Sequence, residues 1–385
     1  MTIAATYSPL TQQLLAARGP FASVFYDDSH DTPDAEARLE VTRRDIAREL
    51  AENGAPQALI ASVGEAMTRR TGKEASGRGL IVATSGVAVD EPLFSPPVTS
   101  LSRVSDIPYL IPLLDYGALH GPYLVVAVDQ VGAELTRFHG KSTSSETVEA
   151  GGYPVHKAAA AGLNAWGDQQ HRVEEVVRKN LRAVAGHLTH EIDLHPAEFV
   201  VLIGQDRARA ELAAMLPERV AKLVVQPGVG ARHTGVDEAV DSAITRELAN
   251  RRSSESCRLA EEYRAEAGRE SGLAVEGLEL VTAALREYAV ATLIVGGMTD
   301  RTVLAGDDLT VVAPDADTLS NFGVAPTRTL RADEAVPFSA LSSGAGLVHA
   351  PDDLRLADGI GALLRFALPG YRRTPAESAS LIEPP

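Results

Sequence analysis

Gly151-Gly152-Tyr153 is where this sequence offers chemistry through its backbone. Two successive glycines remove Cβ constraints, so the chain can enter a crowded site and present its N–H groups there. The same pair also occurs in loops that carry no task. Downstream, His171, Arg172, Arg178, Lys179 and Arg182 gather cations on one expected helix. Together with Arg137, Lys141 and Lys157 they form a local basic face that could grip phosphates. Read one at a time, each is also an ordinary member of a solvated face.

Other motifs point less far. Gly228-Val-Gly-Ala-Arg-His233 follows an expected strand and precedes an expected helix, but a dinucleotide fingerprint needs glycine where His233 stands. A plain strand-to-helix turn satisfies the same letters. His187 and His190, with Glu191 and His195 nearby, could in principle ligate a metal. Their place near a helix C-terminus, where a histidine cation complements the helix dipole, accounts for them without one. Cys257, the single cysteine, lies between Glu255 and Arg258 in an amphipathic stretch and reads as a small packed side chain. There is no phosphate-binding G-x-x-x-x-G-K-[ST] loop and no G-x-S-x-G nucleophile elbow. No cofactor and no metal site are expected.

Positioning these residues requires a scaffold, and alternation supplies one. Phe21–Tyr26 reads as a strand, with helices over 34–53 (capped by Asp34, stopped at Gly54) and 56–70, then strands at 79–84 and 87–89. The proline-bearing run 92–112 reads as a packed connection. Pro122–Val128 and Ala133–Gly140 form a hairpin around Asp129–Gly132. Lys141–Gly167 is rich in Ser, Thr, Gly and Ala and reads as one long loop. The helix 168–190 carries an apolar stripe at Val173, Val176, Val177, Leu181, Val184 and Leu188. Glu174 with Arg178 and Glu175 with Lys179 are spaced to pair along it. A strand at 199–203, a helix at 206–216 and a strand at 223–226 follow. Helices are expected at 236–250, 254–271 and 278–288, and strands at 291–295, 309–312 and 345–349. The apolar stripe 354–366 reads as a closing helix. The expected class is α/β, as three consecutive α/β domains over 1–118, 119–233 and 234–372, with a tail over 373–385.

Composition narrows the partners. The chain has 385 residues, 45% hydrophobic and 23% charged, and a formal charge of −16. A surface this acidic argues against non-specific binding to nucleic acid or anionic membrane. The acidity is uneven. Residues 119–233 carry 12 basic and 13 acidic residues, whereas 234–385 carry 14 and 24. Eight of the ten histidines also fall between His120 and His233. The middle third is therefore where an anionic partner would be met. One cysteine excludes an intrachain disulfide framework. No apolar run approaches a membrane span and no leader is seen, so a cytoplasmic setting is expected.

The order of elements from Tyr123 to Gly297 resembles the archaeal and eukaryotic class-I peptide chain release factors and their Pelota relatives. The hairpin is Tyr123-Leu-Val-Val-Ala-Val-Asp129-Gln-Val-Gly132 running on to Gly140. The glycine-bearing loop is followed by Gln170-His171-Arg172-Val-Glu-Glu-Val-Val-Arg178-Lys179. The late segment from Gly277 through Ala284-Leu285, Ala289-Val290 and Leu293-Ile294-Val295 resembles that of kink-turn-binding ribosomal proteins. In the family the loop carries Gly-Gly-Gln and directs water onto peptidyl-tRNA. Here Tyr153 stands in the third position, so the resemblance implies a body without the hydrolytic tip. That is similar to the bacterial branch with its Balon-like ribosome-hibernation factors. The implied role is a non-catalytic, tRNA-mimicking occupant of the ribosomal A site in contact with rRNA, aided by elongation factor Tu, in dormancy or stress. Arg137, Lys141, Lys157, His171, Arg172, Arg178, Lys179 and Arg182 would then bind RNA. If hydrolysis survives in another form, as in a peptidyl-tRNA hydrolase or rescue factor, Gly151, Gly152, Tyr153, Gln169 and Gln170 are the candidates. An unrelated acidic α/β enzyme is the third alternative.

Overall fold

The computed structural model describes residues 8–29, 32–69, 77–93, 95–116, 121–139, 142–149, 166–227, 238–269, 271–298 and 300–368. The chain is α/β and divides into two compact units. His120–Asn250 forms one, and Met1–Leu119 together with Arg251–Pro385 forms the other. The first and third stretches expected from the sequence thus share one unit.

In the two-segment unit, strands β1 (Phe21–Asp27), β2 (Gly77–Ala83), β3 (Gly86–Leu93) and β4 (Leu101–Ser105) make an antiparallel sheet in the order β3-β2-β1-β4. Strand β4 lies inside the proline-bearing run that reads from sequence as a connection. All five of its residues are half-buried, so it lacks the apolar alternation that would announce a strand. Helices Ala35–Glu52 and Gln57–Thr68 cover one sheet face, where Ile46, Leu50, Leu59 and Val63 bury against Val24 and Leu80. Asp34 does sit at the helix start, but its carboxylate makes no capping bond. Gly54 takes φ +79° just past the end, the stop the sequence indicates.

The other face, with Phe21, Phe25 and Ile81, enters one continuous core with Val281, Leu285, Val336 and Leu347. That shared apolar interior is why the two ends of the chain fold as one unit. Within it, strands β10 (Ala274–Glu276), β11 (Val290–Val295), β15 (Gly346–His349) and β16 (Ile360–Leu364) form a sheet ordered β10-β16-β11-β15. The helix expected from the 354–366 stripe is instead strand β16, antiparallel to both β10 and β11. Its five residues are all buried, and a short apolar run buried on both faces has no period to read. Helix Leu278–Arg286 ends with Tyr288 at φ 54°, closed by Ala289 N–H donating to the Ala284 carbonyl at 2.9 Å. This is the left-handed position that glycine normally fills. Tyr288→Gly should raise the thermal stability of this unit by about 1 kcal/mol, read as an increase in melting temperature.

In the central unit, strands β5 (Tyr123–Val128), β6 (Gly132–His139), β7 (Ser142–Glu149), β8 (Phe199–Gly204) and β9 (Val224–Val225) form a mixed sheet in the order β7-β6-β5-β8-β9. β5 pairs in parallel with β8 and antiparallel with β6. The expected long loop is corrected in its first part. Residues Ser142–Glu149 are an edge strand paired with β6 from Gly132↔Glu149 to His139↔Ser142. Thr143, Ser144, Ser145 and Thr147 are all exposed, so no apolar alternation marks it. The remainder of that loop lies outside the described residues, as does the glycine turn 228–233. The two helices expected over 236–250 and 254–271 are one continuous helix, Glu238–Gly268. Nothing between Asn250 and Ser254 breaks it, since the linking residues include neither glycine nor proline.

Candidate functional site

The helix Trp166–Leu194 organises the central unit. Val177, Leu181, Val184, Ala185, Leu188 and Ile192 recur at spacings of three and four and bury against Leu124, Val126, Leu135 and Leu202 of the sheet. One polar residue interrupts that apolar face. Asn180, fully buried, donates from Nδ2 to the Gln130 carbonyl at 3.0 Å. The receiving turn is held by Asp129, whose Oδ1 accepts from the backbone N–H groups of Val131 (2.7 Å) and Gly132 (2.9 Å). The helix is therefore fixed in rotation and height on the hairpin. An asparagine inside an apolar stripe is the sequence signal for this anchor.

That fixed rotation sends Arg178, Lys179 and Arg182 to solvent on the side away from the sheet. Positions 178 and 182 are one turn apart, and 179 and 182 are three apart, so the three sit side by side on the helix surface. None of them has an ion-pair partner among the described residues. Other cations of the unit do. Arg207 pairs with Glu211 at 2.8 Å, Arg219 with Asp193 at 2.9 Å and Lys222 with Glu218 at 2.8 Å. Arg246, on the helix Glu238–Gly268, is also exposed with no described ion pair. The helix pairing expected from spacing does not form at Glu174, which instead meets Arg207 at 3.5 Å. Arg178 has no ion-pair partner among the described residues.

Arg137 has a different setting. It is 17% exposed, and its Nη2 donates to Glu191 Oε1 at 2.7 Å and to the His195 carbonyl at 3.1 Å. It therefore ties strand β6 to the C-terminal end of the long helix. Arg137→Ala should lower the stability of the central unit by roughly 1–2 kcal/mol, because it strips a half-buried carboxylate of its partner. Urea titration checks this. Nearby, His187 Nε2 and Glu146 Oε1 lie 2.7 Å apart and link the edge strand to the same helix. No group of three potential metal ligands occurs among the described residues. Cys257, expected to be packed, is exposed.

Gln169, Gln170, His171 and Arg172 lie in the first turns of the long helix. Lys141, Gly151, Gly152, Tyr153 and Lys157 are outside the described residues. The structure thus brings Arg178, Lys179 and Arg182 together and assigns Arg137 to a scaffold contact.

The opposite sheet face carries an aromatic ladder. Tyr123 stacks on Phe138 (centroids 4.8 Å apart, planes 9° off parallel) and on Phe199 (4.9 Å, 7°). Burial, reinforced by the Asp241 carboxylate, pushes the Tyr123 hydroxyl up to about 12, so it stays neutral. Val240, Ile244 and Leu248 of the Glu238–Gly268 helix are buried in this unit. Tyr123 and Phe199 are buried on this face, and the exposed cations lie on the outer surface of the long helix. No described helix is long and apolar enough to cross a membrane.

Residues 122–269 match the model of bacterial archaeo-eukaryotic release factor family 2. A Mycobacterium tuberculosis H37Rv protein, Rv2629, is 46% identical over 358 residues, covering 92% of this chain and 95% of that protein, and its counterpart MT2704 in strain CDC 1551 matches equally. Among solved structures, the chain is similar to a ribosome-bound archaeal Pelota (TM-score 0.41, 15% identity, 95% of each chain) and to Archaeoglobus fulgidus Pelota (TM-score 0.38, 13% identity, 95% of this chain and 93% of that one). With a relative this close along nearly its whole length and a release-factor match spanning the central unit, the chain belongs to the bacterial archaeo-eukaryotic release factor family.

Proposed function

We propose that this protein is a cytoplasmic ribosome-binding factor that occupies the A site as a tRNA mimic, without hydrolysing peptidyl-tRNA, in hibernation or stress. The observation that carries the reading is the exposed, uncompensated Arg178–Lys179–Arg182 surface, in a release-factor family member whose net charge is −16. Phosphate-rich RNA is the partner that such a localised cationic surface selects on an otherwise repulsive body. The absence of enzymatic action rests on Tyr153, which stands where the resemblance places the glutamine of the hydrolytic loop. Delivery by elongation factor Tu belongs to the same proposal.

Co-sedimentation with ribosomes from stationary cells, at graded salt, tests the binding. The protein should pellet at low salt and be released as salt rises; remaining in the supernatant even at low salt refutes the reading. A peptidyl-tRNA hydrolysis assay tests the chemistry. No release above background is expected, and release that disappears in a Gly151→Ala/Gly152→Ala variant would instead establish a hydrolase.

A further inference from the structure

The two-segment unit contains a ring that its own fold does not use. Tyr288 closes helix Leu278–Arg286 at φ 54°, a conformation L side chains rarely adopt, and its side chain is 64% exposed. Glycine would make the same turn without strain, so the position keeps tyrosine for its ring and not for its backbone. The ring contributes nothing to the buried core, in which the neighbouring Leu285 and Ala289 take part.

Its surroundings are equally specific. Arg365 donates to the Tyr288 carbonyl at 2.9 Å and to the Gly344 carbonyl at 2.9 Å. The Arg365 guanidinium is thereby pinned beside Tyr288, and no carboxylate among the described residues neutralises it. Phe366, 49% exposed, follows directly. On the same helix end, Arg286 donates to the Val312 carbonyl at 2.7 Å and lies 5.9 Å from the ring centroid of Phe322, which is 46% exposed. Asp315 and Glu287 are the acidic neighbours of Arg286. An exposed flat ring beside an arginine held by carbonyls, as Tyr288 is beside Arg365, is what a base and its phosphate require.

We propose that Tyr288, with Arg365 held at its carbonyl, is a stacking platform for an unpaired nucleobase of ribosomal RNA. The assignment rests on the ribosome-directed reading above and adds a second contact, on the unit that reading leaves without one.

Ribosome pelleting of the full chain is compared with that of Tyr288→Gly and Tyr288→Phe. Tyr288→Gly should melt no lower than the native chain yet bind about tenfold more weakly, with an unchanged salt slope. Tyr288→Phe should bind within about twofold of the native chain, since the ring is retained. Native-like pelleting by Tyr288→Gly overturns the proposal. A photo-crosslinking p-azidophenylalanine at position 288 should capture an rRNA nucleotide; capture of ribosomal protein alone, or of nothing, also overturns it. A fluorescent single-stranded adenine dodecamer separates this failure from failure of the parent reading. Binding to it that Tyr288→Gly weakens, with no pelleting by the native chain, leaves the base platform standing and removes the ribosomal role. No binding to either removes both.

Discussion

Replacing Arg178, Lys179 and Arg182 together by alanine should weaken ribosome binding roughly 50-fold near 0.15 M salt and flatten the salt dependence of log K by about 2 to 3. The size follows from counterion release. Each neutralised phosphate contributes about 0.7–0.9 to the slope, so three lost contacts account for the change, and extrapolation from about 1 M salt converts slope into affinity. The folded structure should be unaffected, because all three side chains are exposed and without described ion-pair partners. Removing surface cations of that kind shifts stability by less than about 0.5 kcal/mol. Filter binding or sedimentation at four salt concentrations reads the slope. The comparison with Arg137→Ala is internal to the measurement: a half-buried, committed arginine should change stability and leave the slope alone, and the exposed trio should do the reverse. Equal slopes for the trio variant and the native chain would remove the proposed RNA surface.

Arg103→Ala should destabilise the two-segment unit by roughly 3 kcal/mol. Arg103 Nη1 donates to Asp333 at 3.0 Å and Glu334 at 3.3 Å, and its guanidinium lies 3.6 Å from the Tyr109 ring centroid. Both carboxylates are almost fully buried, whereas Arg103 itself is a quarter exposed. Removing the arginine leaves Glu334 with Ser105 Oγ, which donates to it at 2.6 Å, and leaves Asp333 with Arg331 at 2.8 Å. That residual support places the loss at the lower end of the range for breaking a buried pair.

The pH dependence has two signs. Burial pushes Asp333 upward, but the hydrogen bonds from Arg331 and Arg103 more than offset this and leave its carboxyl below the usual range. Its contribution is present above about pH 4 and is lost as pH falls through the lowered value. Glu334 is raised by burial, only partly countered by Ser105 and Arg103. Its contribution is therefore present below its unfolded value and is lost as pH rises through the folded one. Without Arg103 that rise becomes larger. The deficit of Arg103→Ala should accordingly be smaller near about pH 5 than near about pH 8, as measured by urea midpoints at the two values. A deficit that is constant across that interval would show that Glu334 does not titrate with folding.

Most of the central unit was legible in the chain itself. The dense run Tyr123–Val128, the turn at Asp129 and the apolar stripe from Val177 to Leu188 carry their periods openly, and the sheet and helix lie where those periods put them. The exposed cations of the long helix were equally legible, since helical spacing alone groups 178, 179 and 182 opposite that stripe. What escaped were elements whose environment erases the pattern. Edge strand β7 is polar and exposed from Thr143 to Thr147, with Val148 packed against the core, and β16 is apolar on both sides because both are dry; neither alternates.

Local sequence determined the α/β class, the hairpin, the long helix and which cations lie together on it, because each of these follows from interactions within a few turns of chain. The tertiary structure alone decided that Arg137 answers to Glu191, that Glu174 turns to Arg207, and that the two ends of the chain share one core. Those outcomes depend on residues dozens to hundreds of positions apart meeting in space, and the strength of a charge or an apolar surface depends on what it meets.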